Sequence, residues 1–480
     1  MNGGPKIDLS HQLGVIAAAP TGPDIAAFFD LDGTLINGFS AKAVFLERLK
    51  TLDVTVHELW EISSAVVEMR MRNSPVDNLM GKAVRGLEGR REEDLMEQAY
   101  TLFRNEIAPM IYPEARLLVE AHRHAGHRLV MATSATPYQA IPVQEDLMFD
   151  ELLCTTPVVT DGVLTGELVG DSLWGPRKAA AVAEYAETEG LDLDGCFVYS
   201  NGGEDVPMLK EVGNPVALNP DSELTRHATT AGWPILRLEN PKRGSDLTSA
   251  VRSTAALGSV LASASIGLGL GILTRSRRTG ANITSTIAPD IALTIAGIKL
   301  DVTGTENAWS ARPAVFMFNH QSTADSIIVT SILRRDITAV AKRELERDPR
   351  FALLGKIFDV AYIDRGDPAQ AREAMRPAIE KLHSGISVAI APEGTRMPTS
   401  RLGRFKKGGF HLAMQAGVPI VPIVIHNAGD VMWKKDLTAH SGTVRVTVGA
   451  PISTDGWVPE KIDSYIDDVR SFFDRTLGYA

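Results

Sequence analysis

Cysteine is almost missing. Cys154 and Cys196 are the only two in 480 residues, and neither sits in a CxxC or His-paired spacing. That excludes a disulfide framework and a thiolate zinc site, and it suits a reducing cytoplasm. No long basic stripe with interleaved aromatics occurs, which argues against a nucleic-acid partner. Residues 1–24 lack the basic-then-apolar order of a signal peptide and, with their Gly, Pro and Ala, read as a loose leader. No internal repeat is visible.

What remains is an ordinary globular composition, 44% apolar and 22% charged. At 480 residues the chain is too long for one core, so two domains and a connector are expected. The net charge of -10 hides an asymmetry. Residues 1–250 carry 21 Lys and Arg against 37 Asp and Glu, a net of -16, whereas residues 251–480 carry 28 against 22, a net of +6. The second half therefore suits anionic ligands or lipid headgroups.

The stretch IAAFFDLDGTL at 25–35 reads as a strand running into an acidic turn, followed by a helical block to about Gly126. Short apolar runs (RLVMAT, LLCT, GCFVYS, VALN) then alternate with helices, which indicates a doubly wound parallel α/β sheet capped by the inserted helical block. Residues 253–274 hold no charge and are followed by RSRR, long enough for a bilayer but rich in Gly, Ala and Ser. With 283–298 they admit three readings: a buried helical pair, a hairpin dipping into one leaflet, or a spanning helix. From Ile298 strand-like and helical segments alternate again. The expected domains are 25–245 with its cap at about 40–112, a membrane-associating helical segment 246–297, and a second α/β domain 298–480.

FNHQSTADS places His320 and Asp325 in an H-x4-D arrangement directly after the apolar run AVFMF. A strand end would deliver the histidine as a base, and the carboxylate would fix its tautomer and stabilise the imidazolium. No protein nucleophile is needed if the substrate brings a hydroxyl. YIDRG then offers Arg365, APEGTR offers Glu393 and Arg396 around a glycine, and GRFKKGG adds basic residues that include Lys407. Cationic groups on three loops are what gripping a phosphomonoester requires. VPIVPIVI at 418–425 would either line an acyl-chain groove or form a plain core strand.

The ordered set NHQSTAD, GKIFDVAYIDR, PEGTR and VPIVPI resembles the four motifs of the glycerolipid acyltransferase family that includes the lysophosphatidic acid acyltransferases. The resemblance implies His320 as general base and Asp325 as its orienting partner. It implies a phosphate site made by Arg365, the turn Glu393, Gly394, Thr395 and Arg396, and Lys407. It also implies acyl-CoA or acyl-carrier protein as donor, a lysophospholipid sn-2 hydroxyl as acceptor, no metal for acyl transfer, and docking on the cytoplasmic face of the membrane through about 253–298.

In the first half, DLDGT puts Asp30 and Asp32 at a strand end. There Asp30 would be nucleophile and magnesium ligand, and Asp32 general acid/base and a ligand of the same ion. The stretch resembles the first motif of the haloacid dehalogenase superfamily, in its capped, phosphoserine phosphatase-like subgroup. The resemblance extends to ATSATP with Ser134 (or Thr133) as phosphate-binding hydroxyl, to GPRKAA with Lys178, and to SNGGEDVPML with Asp205. Asn201 stands where that family usually has an aspartate; an amide oxygen still ligates magnesium, with less charge. The unit is thus either an active magnesium-dependent phosphatase or a degenerate one.

The leading expectation is a fused enzyme whose second half converts lysophosphatidate to phosphatidate. A variant acylates glycerol 3-phosphate. The competing classes are a phosphoserine-type phosphatase with a membrane-tethering second half, and a non-catalytic lipid-binding scaffold.

Overall fold

The computed structural model describes residues 5–44, 76–240, 247–342, 360–363, 368–434, 436 and 438–479. The chain divides into two compact units, Met1–Pro241 and Lys242–Ala480.

The first unit is built on a seven-stranded sheet. Its strands are β1 (Lys6–Ile7), β2 (Ala26–Phe29), β3 (Arg128–Ala132), β4 (Glu151–Leu153), β7 (Phe197–Ser200), β8 (Asn214–Leu218) and β9 (Ile235–Leu236), in the order β1-β9-β8-β7-β2-β3-β4. Every pairing is parallel. AAFF and FVYS are largely apolar because helices cover both faces, and all eight residues are buried. The centre of the sheet, β2 between β3 and β7, is where the chain delivers Asp30.

The expected loose leader is a correction. Residues Lys6–Ile7 pair with Ile235–Leu236, and Leu9–Ala18 is a helix capped by the Asp8 side chain on the His11 N–H. Its residues Gln12 and Ile16 point into the core. The signal was the N-cap aspartate ahead of an apolar residue at helical spacing. A second element, the hairpin β5 (Pro157–Thr160) and β6 (Val163–Leu168), turns on Asp161–Gly162, both with positive φ. An Asp-Gly pair between apolar runs favours that tight turn, although the hairpin was not among the elements expected from the sequence. The hairpin packs against the described part of the cap: Leu95 and Ala99 on the helix Glu92–Leu102 bury with Leu164. Residues 45–75 of the expected cap lie outside the described residues.

The second unit carries another seven-stranded sheet. Its strands are β10 (Ile298–Thr303), β11 (Val315–Phe318), β12 (Ile337–Lys342), β13 (Ala361–Ile363), β14 (Ser387–Ile390), β15 (Ile420–Ile425) and β16 (Gly442–Val448), in the order β10-β16-β15-β11-β14-β12-β13. Only β15 with β16 is antiparallel. Alternation along β11 sends Phe316 and Phe318 to one apolar core and Val315 and Met317 to the other. All six residues of β15 are buried, so the IVPIVI part of the apolar stretch 418–425 forms a core strand.

Two helices, Leu247–Leu273 and Arg277–Ala296, form a hairpin in this unit. They cross on glycines: a Cβ at Gly267 would lie 2.0 Å from the Thr284 hydroxyl and 2.6 Å from the Gly280 carbonyl oxygen. Both ends of the hairpin are tied to the α/β body. Ser249 Oγ lies 3.2 Å from His440 Nδ1, and the Ala439 N–H donates to Ser253 Oγ at 2.8 Å. At the other end Arg278 meets Asp336 at 2.6 Å and donates to the carbonyls of Ser384 and Gly385. Leu247–Leu273 is long and apolar enough to cross a membrane. Its Val251, Leu257, Ile266, Leu268 and Ile272 are exposed.

Candidate active sites

In the second unit the site begins where β11 ends. Asn319 exchanges two hydrogen bonds with Ile425 of the neighbouring β15, its Nδ2 donating at 2.8 Å and its Oδ1 accepting at 2.7 Å. Gln321 Nε2 donates to the same Ile425 carbonyl at 2.8 Å. The residues on either side of His320 are therefore locked to the sheet, and the imidazole is presented between them. Neither flanking residue was singled out from the sequence, although both adjoin the histidine.

Asp325 opens the helix Asp325–Leu333, where the helix dipole and the free N–H groups favour a carboxylate. It is fully buried, and its Oδ2 receives three donors: His320 Nδ1 at 2.8 Å, Gln321 N at 2.7 Å and Ser322 N at 2.8 Å. An ionised acceptor on Nδ1 makes that nitrogen the protonated one, so Nε2 keeps its lone pair. The His320 side chain is 24% exposed, which leaves that face open to a substrate.

The PEGTR turn meets the histidine from the other side. Glu393 Oε1 accepts from the His320 N–H at 2.9 Å and Oε2 from the Gly403 N–H at 3.0 Å, while Met397 N donates to the His320 carbonyl at 2.7 Å. Burial pushes the Glu393 carboxyl up to about 7, against the two N–H groups that lower it. Gly394 holds φ +73, which explains a glycine there. Thr395 and Arg396 are exposed, and Arg396 Nη1 donates to Thr323 of the histidine's own loop at 2.5 Å and to the Lys434 carbonyl at 2.8 Å.

Two expected phosphate ligands are placed differently. Both Glu393 oxygens are spent on backbone N–H groups, so this residue organises the site instead of meeting an anion. Lys407 is paired with Asp463 on the C-terminal helix, at 2.7 and 2.8 Å to its two oxygens. Its neighbours Arg404 and Lys406 are exposed, and Lys406 N is bound to the Pro392 carbonyl at 2.8 Å beside the turn. Arg365 lies outside the described residues.

In the first unit, Lys178 is the centre of the site. It is 2% exposed and donates to Asp30 Oδ1 and to Asp205 Oδ2, each at 2.9 Å. Its burial would lower its pKa, but the Asp205 and Asp30 charges reverse this and hold it protonated. Asp30 is pushed up by burial, with Lys178 pulling the other way and Asp205 adding to the rise. Two carboxylates share one ammonium, so the cluster has a surplus negative charge. Asp205 Oδ1 is buried with no hydrogen-bond partner, although Ser200 Oγ donates to the other oxygen at 2.6 Å. Thr34 Oγ1 lies 3.4 Å from Asp30 Oδ2 and 3.2 Å from Asn201 Oδ1.

The surplus charge and the orphaned oxygen fit a divalent cation held by Asp30, Asp205 and the Asn201 amide oxygen. Among the described residues no group of three or more His, Cys, Asp or Glu converges, because Asn201 takes the third place. The Asp32 carboxylate is not part of that set: Ser40 N donates to its Oδ1 at 2.6 Å and Ser40 Oγ to its Oδ2 at 3.1 Å. Thr133 Oγ1 is used by the Ala135 N–H at 3.1 Å, whereas Ser134, half-buried at the end of β3, stands as the hydroxyl available to a ligand.

Known proteins match each of the two units separately. The haloacid dehalogenase-like hydrolase family matches residues 27–210, and the acyltransferase family matches residues 299–426. A phosphoserine phosphatase of Mycobacterium tuberculosis is 35% identical over 215 residues, 44% of this chain and 70% of that protein. A 1-acyl-sn-glycerol-3-phosphate acyltransferase of Pseudomonas aeruginosa is 35% identical over 185 residues, 38% of this chain and 71% of that protein. The chain belongs to both families, one in each unit. It is an enzyme in which a haloacid dehalogenase-like unit is joined to an acyltransferase unit. A solved structure, the 1-acyl-sn-glycerophosphate acyltransferase of Thermotoga maritima, matches with 23% identity and a TM-score of 0.40, covering 48% of this chain and 97% of that one.

Proposed function

We propose that the second unit transfers an acyl group from acyl-CoA or acyl-carrier protein to the sn-2 hydroxyl of 1-acyl-glycerol 3-phosphate, giving phosphatidate. The observation that carries this is the His320–Asp325 contact at 2.8 Å beside the exposed Arg396. His320 Nε2 takes the hydroxyl proton as the oxygen attacks the thioester carbonyl, and the imidazolium is stabilised by Asp325. Collapse of the tetrahedral adduct expels the thiolate, which recovers the proton from Nε2. Arg396, Thr395 and the turn at Gly394, with Arg365 and the exposed Arg404 and Lys406, would receive the acceptor's phosphate.

The first unit acts, on this reading, as a magnesium-dependent phosphatase. Magnesium on Asp30, Asn201 and Asp205 would screen the phosphoryl oxygens. Asp30 attacks phosphorus as the bond to the leaving oxygen breaks, and Asp32 gives that oxygen its proton. Water then attacks the aspartyl phosphate, returns a proton to Asp32 and frees phosphate. Lys178 holds Asp30 aligned, and Ser134 donates to a phosphoryl oxygen.

The enzyme works at the cytoplasmic face of a membrane in this proposal, with the hairpin 247–296 in one leaflet. The polar ties at both ends of the hairpin support an in-plane arrangement over a spanning one, since they keep Leu247–Leu273 alongside the α/β body. Its exposed apolar side chains would enter the acyl region.

The deciding experiment is thiol release from palmitoyl-CoA by the purified chain in mild detergent, with lysophosphatidate or glycerol 3-phosphate as acceptor. Release that needs lysophosphatidate and vanishes in His320→Ala supports the assignment. Release with glycerol 3-phosphate alone would replace the acceptor, and undiminished release in His320→Ala would remove the proposed base.

A further inference from the structure

The acid/base of the first unit does not stand alone. Thr136 caps the helix Pro137–Leu147, and both its N–H and its hydroxyl donate to Gln139 Oε1, each at 3.0 Å. Two donors on one atom identify that atom as the amide oxygen, so the Gln139 nitrogen must point the other way. There it donates to Ser40 Oγ at 3.1 Å. With a donor on its lone pair, the Ser40 hydroxyl sends its single proton to Asp32 Oδ2 at 3.1 Å, while Ser40 N holds Oδ1 at 2.6 Å. Thr136, Gln139 and Ser40 are all buried, so water does not compete for these directions.

We propose that Gln139, acting through Ser40, is a positioning residue that sets the plane of the Asp32 carboxyl for proton transfer to the leaving group. The inference rests on the reading of this unit as a phosphatase and deepens it. The relay spans 99 residues of sequence between Ser40 and Gln139. Its helix starts just after the turn that carries Ser134, so one helix end organises both the phosphate hydroxyl and the acid. Each Asp32 oxygen keeps one lone pair beyond its bond to Ser40, and the transferable proton sits on one of these.

The isosteric change Gln139→Glu separates positioning from packing. A glutamate at this helix position still accepts from Thr136 and completes the capping box, so thermal stability should hold. It has no proton for Ser40 and instead draws the Ser40 hydroxyl away from Asp32. The test compares wild type and Gln139→Glu, as full-length chains with magnesium, on p-nitrophenyl phosphate and phenyl phosphate. These are similar in size, but the phenyl leaving group depends far more on protonation. The expected result is a kcat/KM loss of about 10-fold on phenyl phosphate and under about 2-fold on p-nitrophenyl phosphate, because kcat/KM reports formation of the aspartyl phosphate and not its common hydrolysis, with melting temperature unchanged. Ser40→Ala should show the same selectivity. Equal losses on the two esters, or none on either, would overturn the positioning role while leaving the phosphatase reading intact. A wild-type chain inert on both esters would remove the phosphatase reading and this inference together.

Discussion

Glu393 accepts the backbone N–H of His320 at 2.9 Å, and with its other oxygen it accepts from Gly403, so one buried carboxylate joins the catalytic turn to the basic loop 403–407. Its raised pKa of about 7 gives this clamp a pH dependence. On acidification through that value one oxygen becomes a hydroxyl facing an N–H, and the clamp loses an acceptor. Acyl transfer should therefore fall with the protonation of Glu393 as the pH drops through about 7. In Glu393→Gln that protonation is removed and this part of the fall should disappear, on a rate lowered roughly 10-fold by the lost hydrogen bond. A rate-against-pH profile reads both, and an unchanged slope would remove Glu393 from the acid limb.

Asp325 holds the Nδ1 proton of His320 through the oxygen that also receives Gln321 N and Ser322 N. Asp325→Asn either turns a donor toward Nδ1 or, with its oxygen held there by the two backbone N–H groups, leaves the imidazolium without its counter-charge. We expect a kcat loss on the order of 10³–10⁴-fold with little change in fold. Steady-state kinetics with circular dichroism checks it; a loss under about 10-fold would mean the carboxylate is dispensable.

Asn201 lies against Gly33, where a Cβ would fall 2.2 Å from its Nδ2. Asn201→Asp adds a third carboxylate beside Asp30 and Asp205. The variant should lose stability without magnesium and show a larger magnesium-induced rise in melting temperature than wild type, together with faster ester hydrolysis. If the melting shifts coincide, residue 201 does not touch the ion.

His122 is fully buried, with Nδ1 2.8 Å from His127 and Nε2 2.8 Å from the Tyr199 hydroxyl. His127 Nε2 reaches the Pro20 carbonyl at 2.9 Å and Gln12 Nε2 reaches Tyr199 at 2.9 Å, so the network ties the N-terminal helix to the sheet. Burial, with His127 adding to it, pushes His122 down to about 3. The folded state binds the proton less well than the unfolded chain. Stability is thus complete above the ordinary histidine pKa near 6.5 and declines as pH falls from there toward 3, by about 2 kcal/mol at pH 5. Chemical denaturation of the chain at pH 5 and pH 8, with His122→Asn as the comparison, should show that difference shrinking in the variant; an equal pH effect in both would place it elsewhere.

Ile266 and Leu268 are exposed on the first hairpin helix at 59% and 48%. Replacing both with Glu should abolish flotation with anionic vesicles while leaving the fold intact. Flotation equal to wild type would mean that another surface meets lipid.

The strands and the pair His320–Asp325 could be read along the chain because the physics that forms them is local. An apolar run stops one residue short of a histidine, and a carboxylate five residues later, at the start of a helix, lies within reach of it. The N-terminal helix and the Asp161–Gly162 hairpin rest on equally local signals, the Asp8 N-cap and the Asp-Gly pair, but neither was among the elements expected from the sequence. What only folding decides is which charges survive. Lys407 belongs to a basic loop in sequence, yet at the surface it pairs with Asp463, 56 residues away. Glu393 sits in a motif beside an arginine, yet its oxygens turn inward to two backbone N–H groups. Lys178 finds Asp30 across 148 residues, and Gln139 finds Ser40 across 99. Composition and spacing state which groups are charged or polar. Partner choice in a low-dielectric interior depends on distances of a few ångströms that the parallel sheets set, and no residue pattern along the chain carries them.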